Sequence, residues 1–142
     1  MTLDGLALAA LILLLFNMLY FQITSPAFLL VSLEIPTVTT LLRGQFWYYF
    51  LSLGVAAVVA TLAFAVSGRL VVAAGIATIA AFAAFSRKWF GRHMDAELAA
   101  RDGGDRHAVR RLRRLHWAGM LSHALALVAV LTSIPYLNLF PG

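Results

Sequence analysis

Histidine is the residue type in this chain best suited to chemistry, and its four copies divide by position. His93 and His107 sit in a charged stretch where water would solvate them. His116 and His123 enter an apolar stretch seven residues apart, which places them on one helix face about 10.5 Å from each other along the axis. That separation argues against a shared metal ion, whose ligand nitrogens must each lie about 2 Å from it; no metal site is expected. A haem held by two histidines needs one on each side of the ring, and no other apolar stretch contains a histidine. No cofactor is therefore expected, and the one form the chain leaves open is a haem or other tetrapyrrole on a single axial histidine. The competing reading gives His116 and His123 hydrogen bonds across a helical bundle to Asn17, Ser52, Thr61 or Glu34. Asn17, a polar interruption of the first apolar stretch, is a further ligand-binding candidate. Glu34, flanked by Val31, Leu33 and Ile35, is either a functional carboxylate in hydrocarbon or a residue at headgroup depth paired with Arg43.

Other chemistries are thinly represented. The chain has no cysteine, which removes disulfides, thiolate metal sites and cysteine nucleophiles together. It contains no nucleophile elbow, phosphate-binding loop, dinucleotide fingerprint or paired-carboxylate motif in an apolar stretch. Hydrophobic residues make up 62% of its 142 residues and charged residues 12%, with a mean hydropathy of +0.88. A soluble domain carries about a quarter charged residues, so this composition belongs in a bilayer.

The elements that must position the histidines follow from length. A bilayer core about 30 Å thick needs roughly 20 apolar residues per helix. Four stretches qualify, at about 5–24, 46–66, 70–88 and 116–138. The expectation is an all-α antiparallel four-helix transmembrane bundle forming one domain over 1–142. Asp4 ahead of the first stretch, without lysine or arginine, argues for a retained span rather than a cleaved leader. Between the first two spans, Pro26 would kink a helix continuing to about Leu33, and residues 37–42 would form a short interfacial helix. The basic connection 89–115 extends the third span to Ala100, breaks at Gly103-Gly104, and restarts at a cap on Asp105, as two protruding helices joined by a flexible tip.

The net charge of +5 resolves into topology. Of eleven lysines and arginines, nine lie between Arg87 and Arg114, Arg43 precedes the second span, and only Arg69 falls on the other side. The positive-inside rule then makes the 87–115 connection cytoplasmic and puts both termini outside, in a membrane of the bacterial plasma (inner) type. Arg87, Lys88, Arg110, Arg111, Arg113 and Arg114 are expected to contact anionic headgroups. Nucleic acid is not expected, since aromatic interleaving and a recognised binding fold are both missing. Trp47, Tyr48, Tyr49, Trp89, Trp117 and Tyr136 read as interfacial belts. Small residues at four-residue spacing mark helix contacts: Ala56 and Ala60 beyond Ser52, Ala57–Thr61–Ala65, Ala73–Ala77–Ala81 and Ala118–Ser122–Ala126.

Three stretches together resemble a known family. Ser25-Pro26-Ala27-Phe28 closes the first span, Gln45-Phe46-Trp47-Tyr48-Tyr49-Phe50 opens the second, and Arg114 to His123 leads into the last. The pattern is similar to the transmembrane protein 205-like family of small four-helix membrane proteins. On it His116 matches the family histidine, Gly119 stands where the family has serine, and His123 stands where it has asparagine. More faintly the chain resembles the anthrone-oxygenase-like membrane proteins, which would imply cofactor-free oxidation of a polyphenolic substrate.

The first functional expectation is an accessory or scaffolding subunit of a larger membrane complex or a homo-oligomer, without catalysis of its own, contacting lipids and other membrane subunits or itself. The second is a membrane oxidoreductase, or a protein binding a tetrapyrrole, quinone or polycyclic ligand through His116, His123 and, alongside, Glu34. The third, transport of or resistance to a hydrophobic compound, rests on analogy alone.

Overall fold

The computed structural model describes residues 2–137. Four helices, each long and apolar enough to cross a membrane, run up and down: α1 (Leu3–Thr24), α2 (Pro36–Val66), α3 (Leu70–Asp102) and α4 (Ala108–Ser133). Among the described residues there is no strand. The chain is an all-α transmembrane bundle. Each helix packs on the next, most extensively α2 on α3, and α4 returns to α1.

Local chemistry sets the helix ends. Thr2 Oγ1 accepts the Gly5 N–H at 3.1 Å and caps α1. Pro36 occupies the first position of α2, where its missing N–H costs nothing, and holds Ile35 extended at ψ 117°. The turns after α2 and α3 are built alike. Gly68 (φ 78°) and Gly104 (φ 92°) adopt left-handed conformations that side chains resist. The next N–H then reaches back into the helix: Arg69 to the Phe64 carbonyl at 2.9 Å, and Asp105 to the Ala100 carbonyl at 3.0 Å.

Three expectations about the connections change. The α-helix of the first span ends at Thr24, one residue before Ser25-Pro26, and tightens into a 3-10 turn over Ser25–Leu29 instead of continuing to Leu33. Residues 37–42 are not a separate interfacial helix but the first turns of α2, because nothing between Thr37 and Gln45 breaks the helix that Pro36 starts. The 103–107 tip is a hydrogen-bonded turn, and α4 starts beyond it. Asp105 Oδ1 accepts the His107 N–H at 2.8 Å and Asp105 Oδ2 accepts from Arg111 at 2.7 Å, so Asp105 closes the turn and α4 begins at Ala108.

The buried faces follow helical spacing: Ala7, Ala10, Leu14, Met18 and Phe21 on α1, and Leu112, His116, Gly119, His123 and Leu127 on α4. On α2 the expected small residues Ala56, Ala57 and Ala60 are buried. On α3 the packed face is Ala73, Ile76, Ala83, Ser86 and Phe90, while Ala77 and Ala81 face outward. Large apolar side chains such as Phe16, Ile23, Leu62, Val71 and Leu125 cover the outside, as hydrocarbon surroundings allow. Trp47, Tyr48, Trp89 and Trp117 are exposed, as a belt requires; the Tyr136 side chain and residue 138 lie outside the described part.

The two ends differ in charge. Asp4 pairs with Arg69 at 2.9 Å at one end. At the other, Arg43 pairs with Asp95, and Arg111 bridges Glu97 and Asp105 at 2.7 Å each. Two further arginines there hold the loop after α1. Arg113 donates to the Phe28 and Val31 carbonyls at 2.6 and 2.9 Å. Arg101 donates to the Leu33 carbonyl at 3.2 Å and to Thr39 Oγ1 at 2.7 Å. These bonds satisfy backbone groups that a loop between two spans would otherwise leave open.

Candidate functional site

His123 is wholly buried where α1, α2 and α4 meet. Its Nε2 lies 2.8 Å from the Met18 carbonyl, which can only accept, so Nε2 carries the proton in the neutral ring. Nδ1 is then an acceptor, and the buried Tyr49 hydroxyl donates to it. The Tyr49 ring stacks on Phe21 with centroids 4.0 Å apart, and Phe21 meets the His123 ring edge-on at 5.0 Å. Tyr49 is thus part of the core, which corrects its placement in the interfacial belt.

His116, also wholly buried, shares a hydrogen bond of 2.9 Å between its Nε2 and Ser25 Oγ. Its Nδ1 has no partner among the described residues. Phe46 and Phe28 lie edge-on to the ring, with centroids at 5.9 and 6.2 Å. Ser25 reaches His116 because it lies four residues after Phe21 and seven after Met18, still in helical conformation, and so continues the buried face of α1 that packs on α4. Beside this contact the Phe46 ring of α2 reaches across the bundle to α4: a Cβ on Gly119 would sit 2.7 Å from Phe46 Cζ and nearer still to Cε1.

The histidines therefore occupy two separate hydrogen-bonded positions. The partners differ from those expected, being Ser25, Tyr49 and the Met18 carbonyl. These residues do not fit an axial ligand to a tetrapyrrole: His123 uses both ring nitrogens, His116 has Nε2 engaged, and both rings are closed in by aromatic side chains. Among the described residues, no three histidine or acidic side chains gather where a metal ion could be held. Glu34 is exposed in the turn before α2, its N–H donating to Ser32 Oγ at 3.3 Å, and Arg43 pairs with Asp95 instead.

Asn17 belongs to a different feature, a groove of about 1070 Å³ between α1 and α2 that opens sideways. Along α2 it runs from Thr40 to Val59, about 28 Å at 1.5 Å per residue. Its deep half is apolar, with Leu13, Val55 and Val59; toward the basic end come Tyr20, Thr24, Gln45 and Tyr48. Tyr49 contributes its ring to the same wall, so groove and histidine core share one side chain.

Two amides in this wall are oriented by the same device. Ser52 Oγ donates to the Tyr49 carbonyl at 2.9 Å, so it must accept from Asn17 Nδ2, 2.8 Å away. Thr24 Oγ1 donates to the Tyr20 carbonyl at 2.9 Å, so it must accept from Gln45 Nε2, again 2.8 Å away. The hydroxyl bonds to the backbone carbonyls favour this orientation of each amide over the flipped one. In each the carbonyl oxygen, Asn17 Oδ1 or Gln45 Oε1, is shielded from solvent and has no donor. An acceptor shielded from water without a donor is costly, and this wall holds two, while Gln22 Oε1 and His116 Nδ1 elsewhere are likewise without partners among the described residues.

Comparison with family models, with curated proteins and with solved structures gives no match to this chain.

Sequence reasoning singled out Asn17 but missed Gln45, Thr24 and Tyr49. One signal was available: Gln45, Tyr49 and Ser52 are spaced four and three apart, a polar stripe along an otherwise apolar helix.

Proposed function

We propose that this protein binds an elongated lipophilic molecule bearing O–H or N–H donors, in the groove between α1 and α2. The observation that carries this reading is the pair of donor-less amide oxygens, Asn17 Oδ1 and Gln45 Oε1, in one largely apolar wall. Ligand sites are mostly apolar clefts of about 300–1,000 Å³ with a few placed polar groups, and this groove has that size and balance. Terminal amide torsions are soft, so a small turn of either side chain brings its oxygen to a donor seated in the groove. Ser52 lies seven residues beyond Gln45, which sets the two acceptors about 10 Å apart along the groove. His123 acts indirectly here, holding Tyr49 and with it the groove wall.

An accessory subunit would instead place a neighbouring helix along the same face. The resemblance to anthrone-oxygenase-like membrane proteins implies a polyphenolic substrate, a class that carries such donors. A long-chain alkyl hydroquinone added to the protein in lipid nanodiscs tests the site. Gly44→Trp fills the groove at a position where a side chain meets nothing within 4 Å. Binding that survives this block would place the ligand elsewhere. A wild-type protein that excludes the probe because a second polypeptide occupies the groove would restore the accessory-subunit reading.

The basic end is proposed to face the cytoplasm of a bacterial cell, with both termini outside. The support is the charge asymmetry, with Arg43 joined to Asp95 at the same end as the 87–115 connection and Arg69 alone at the other.

A further inference from the structure

A second, smaller groove of about 360 Å³ runs between α2 and α3, on the other side of the ridge formed by Leu51, Val55 and Val59. Its floor is Gly54, Ala80 and Ala84, so the two helices present a channel where larger side chains would leave a ridge. Apolar along its length, it ends at Arg87, seven residues and about 10.5 Å beyond Ala80 along α3. The Arg87 guanidinium lies over the Trp47 ring, 4.1 Å from its centroid. Trp47 is partly exposed beside it, as interfacial tryptophans are.

Among the described residues, Arg87 is one of several basic residues at this end that face no carboxylate, and the apolar channel beneath it is what distinguishes it. Arg43, Arg101 and Arg111 each face a carboxylate. Among the described residues no carboxylate comes within ion-pairing distance of Arg87, and Lys88 beside it is exposed and likewise unpaired. A cation held in place by an aromatic ring, at headgroup level above an apolar channel, complements one kind of molecule.

We propose that this groove is a binding site for an anionic phospholipid, one acyl chain lying on Gly54, Ala80 and Ala84 and the phosphate on Arg87. The site is independent of the α1–α2 groove, and goes beyond a general attraction of the basic end for anionic membranes. It requires both parts, the channel and the cation.

The chain has three tryptophans, so Trp89→Phe with Trp117→Phe leaves Trp47 as the sole reporter at the mouth. In that background, phosphatidylglycerol with brominated acyl chains is titrated into phosphatidylcholine nanodiscs holding the protein, and quenching of Trp47 is followed. Brominated phosphatidylglycerol is expected to quench at lower mole fraction than brominated phosphatidylcholine. Arg87→Gln should weaken that preference about fivefold, the effect of one basic residue at a membrane surface. Ala84→Leu should weaken it comparably by filling the channel, whereas Arg92→Gln, on the exposed surface beyond the groove, should weaken it much less. Equal quenching by the two lipids would overturn the proposal. So would an Arg92→Gln loss as large as that of Arg87→Gln, which is bulk surface attraction, or an Ala84→Leu variant that binds like wild type. Displacement of the brominated lipid by millimolar inorganic phosphate would also overturn it, since the site would then recognise a free anion.

Discussion

Gly119→Ala should destabilise the bundle although alanine is the better helix former. The added Cβ would stand 2.7 Å from Phe46 Cζ, closer than real Cβ contacts come, and 3.5 Å from Phe90 Cε1. Phe46 has little room to yield: ring centroids of Phe21, Phe90, Phe50 and His116 surround it at 5.3, 5.5, 5.9 and 5.9 Å. Overpacking of this kind costs about 1–3 kcal/mol, while a Gly-to-Ala change in a helix interior returns only about 0.5–1 kcal/mol. The net expectation is a loss of about 1 kcal/mol, with an upper bound of about 2.5 kcal/mol. Gly75 and Gly91 on α3 provide the control, because a Cβ at either meets nothing within 4 Å. Gly75→Ala and Gly91→Ala should be neutral or stabilising by up to about 1 kcal/mol. The assay is reversible unfolding of the three variants in mixed micelles, read by tryptophan fluorescence. A Gly119→Ala protein as stable as Gly75→Ala would refute the seating of the Phe46 ring against Gly119, and with it the enclosure of His116.

Three further outcomes follow from the same contacts. Tyr49→Phe keeps the ring on Phe21 but leaves His123 Nδ1 without its donor, so unfolding in micelles should show a loss of about 0.5–2 kcal/mol, within the range for hydrogen bonds in bilayers and buried acceptors; a Tyr49→Phe protein indistinguishable from wild type would mean that His123 does not need the bond. The Asp105 carboxyl is held below the usual carboxylate range by its bond to Arg111 and then by the His107 N–H. Because the folded value is depressed, its contribution is present above the unfolded value of about 3.9 and is lost only as pH falls through the lower folded value. Amide exchange over residues 103–110, corrected for intrinsic rates, should therefore stay flat from neutral pH to about 4, and a transition well above about pH 4 would contradict this account of the turn. Since the chain lacks cysteine, Ser67→Cys and Asp102→Cys report topology cleanly: in intact cells an impermeant maleimide should label the first and spare the second, and the reverse pattern would invert the proposed orientation.

Much of this fold is legible in the sequence because hydrocarbon demands long apolar helices and glycine turns mark their ends. The spans and the turns at Gly68 and Gly104 follow from that demand. Which face of each helix packs is harder to read, since residues facing lipid and residues facing protein are equally apolar. The Ala73–Ala77–Ala81 row shows the difficulty: its spacing suits an interface, yet only Ala73 is buried and the true face passes through Ile76 and Ala83. Tyr49 was hidden for another reason. Its neighbours Trp47 and Tyr48 belong to the belt, and only the arrival of Phe21 and His123 from other helices turns Tyr49 into a core residue. The unmet amide oxygens depend on hydroxyls one helical turn from their own acceptors, a relation that spacing suggests but cannot orient.

The most direct test compares an alkyl hydroquinone with its own quinone, two molecules of one skeleton that differ in carrying or lacking O–H donors. Binding to the protein in nanodiscs is measured for wild type, Asn17→Leu and Gln45→Leu. Leaving a buried acceptor unmatched costs about 1–3 kcal/mol, so the hydroquinone should bind wild type at least about tenfold more tightly than the quinone. Each variant should shrink that ratio by removing one acceptor. Equal binding of the two forms by wild type, or a preference untouched in both variants, would contradict the account.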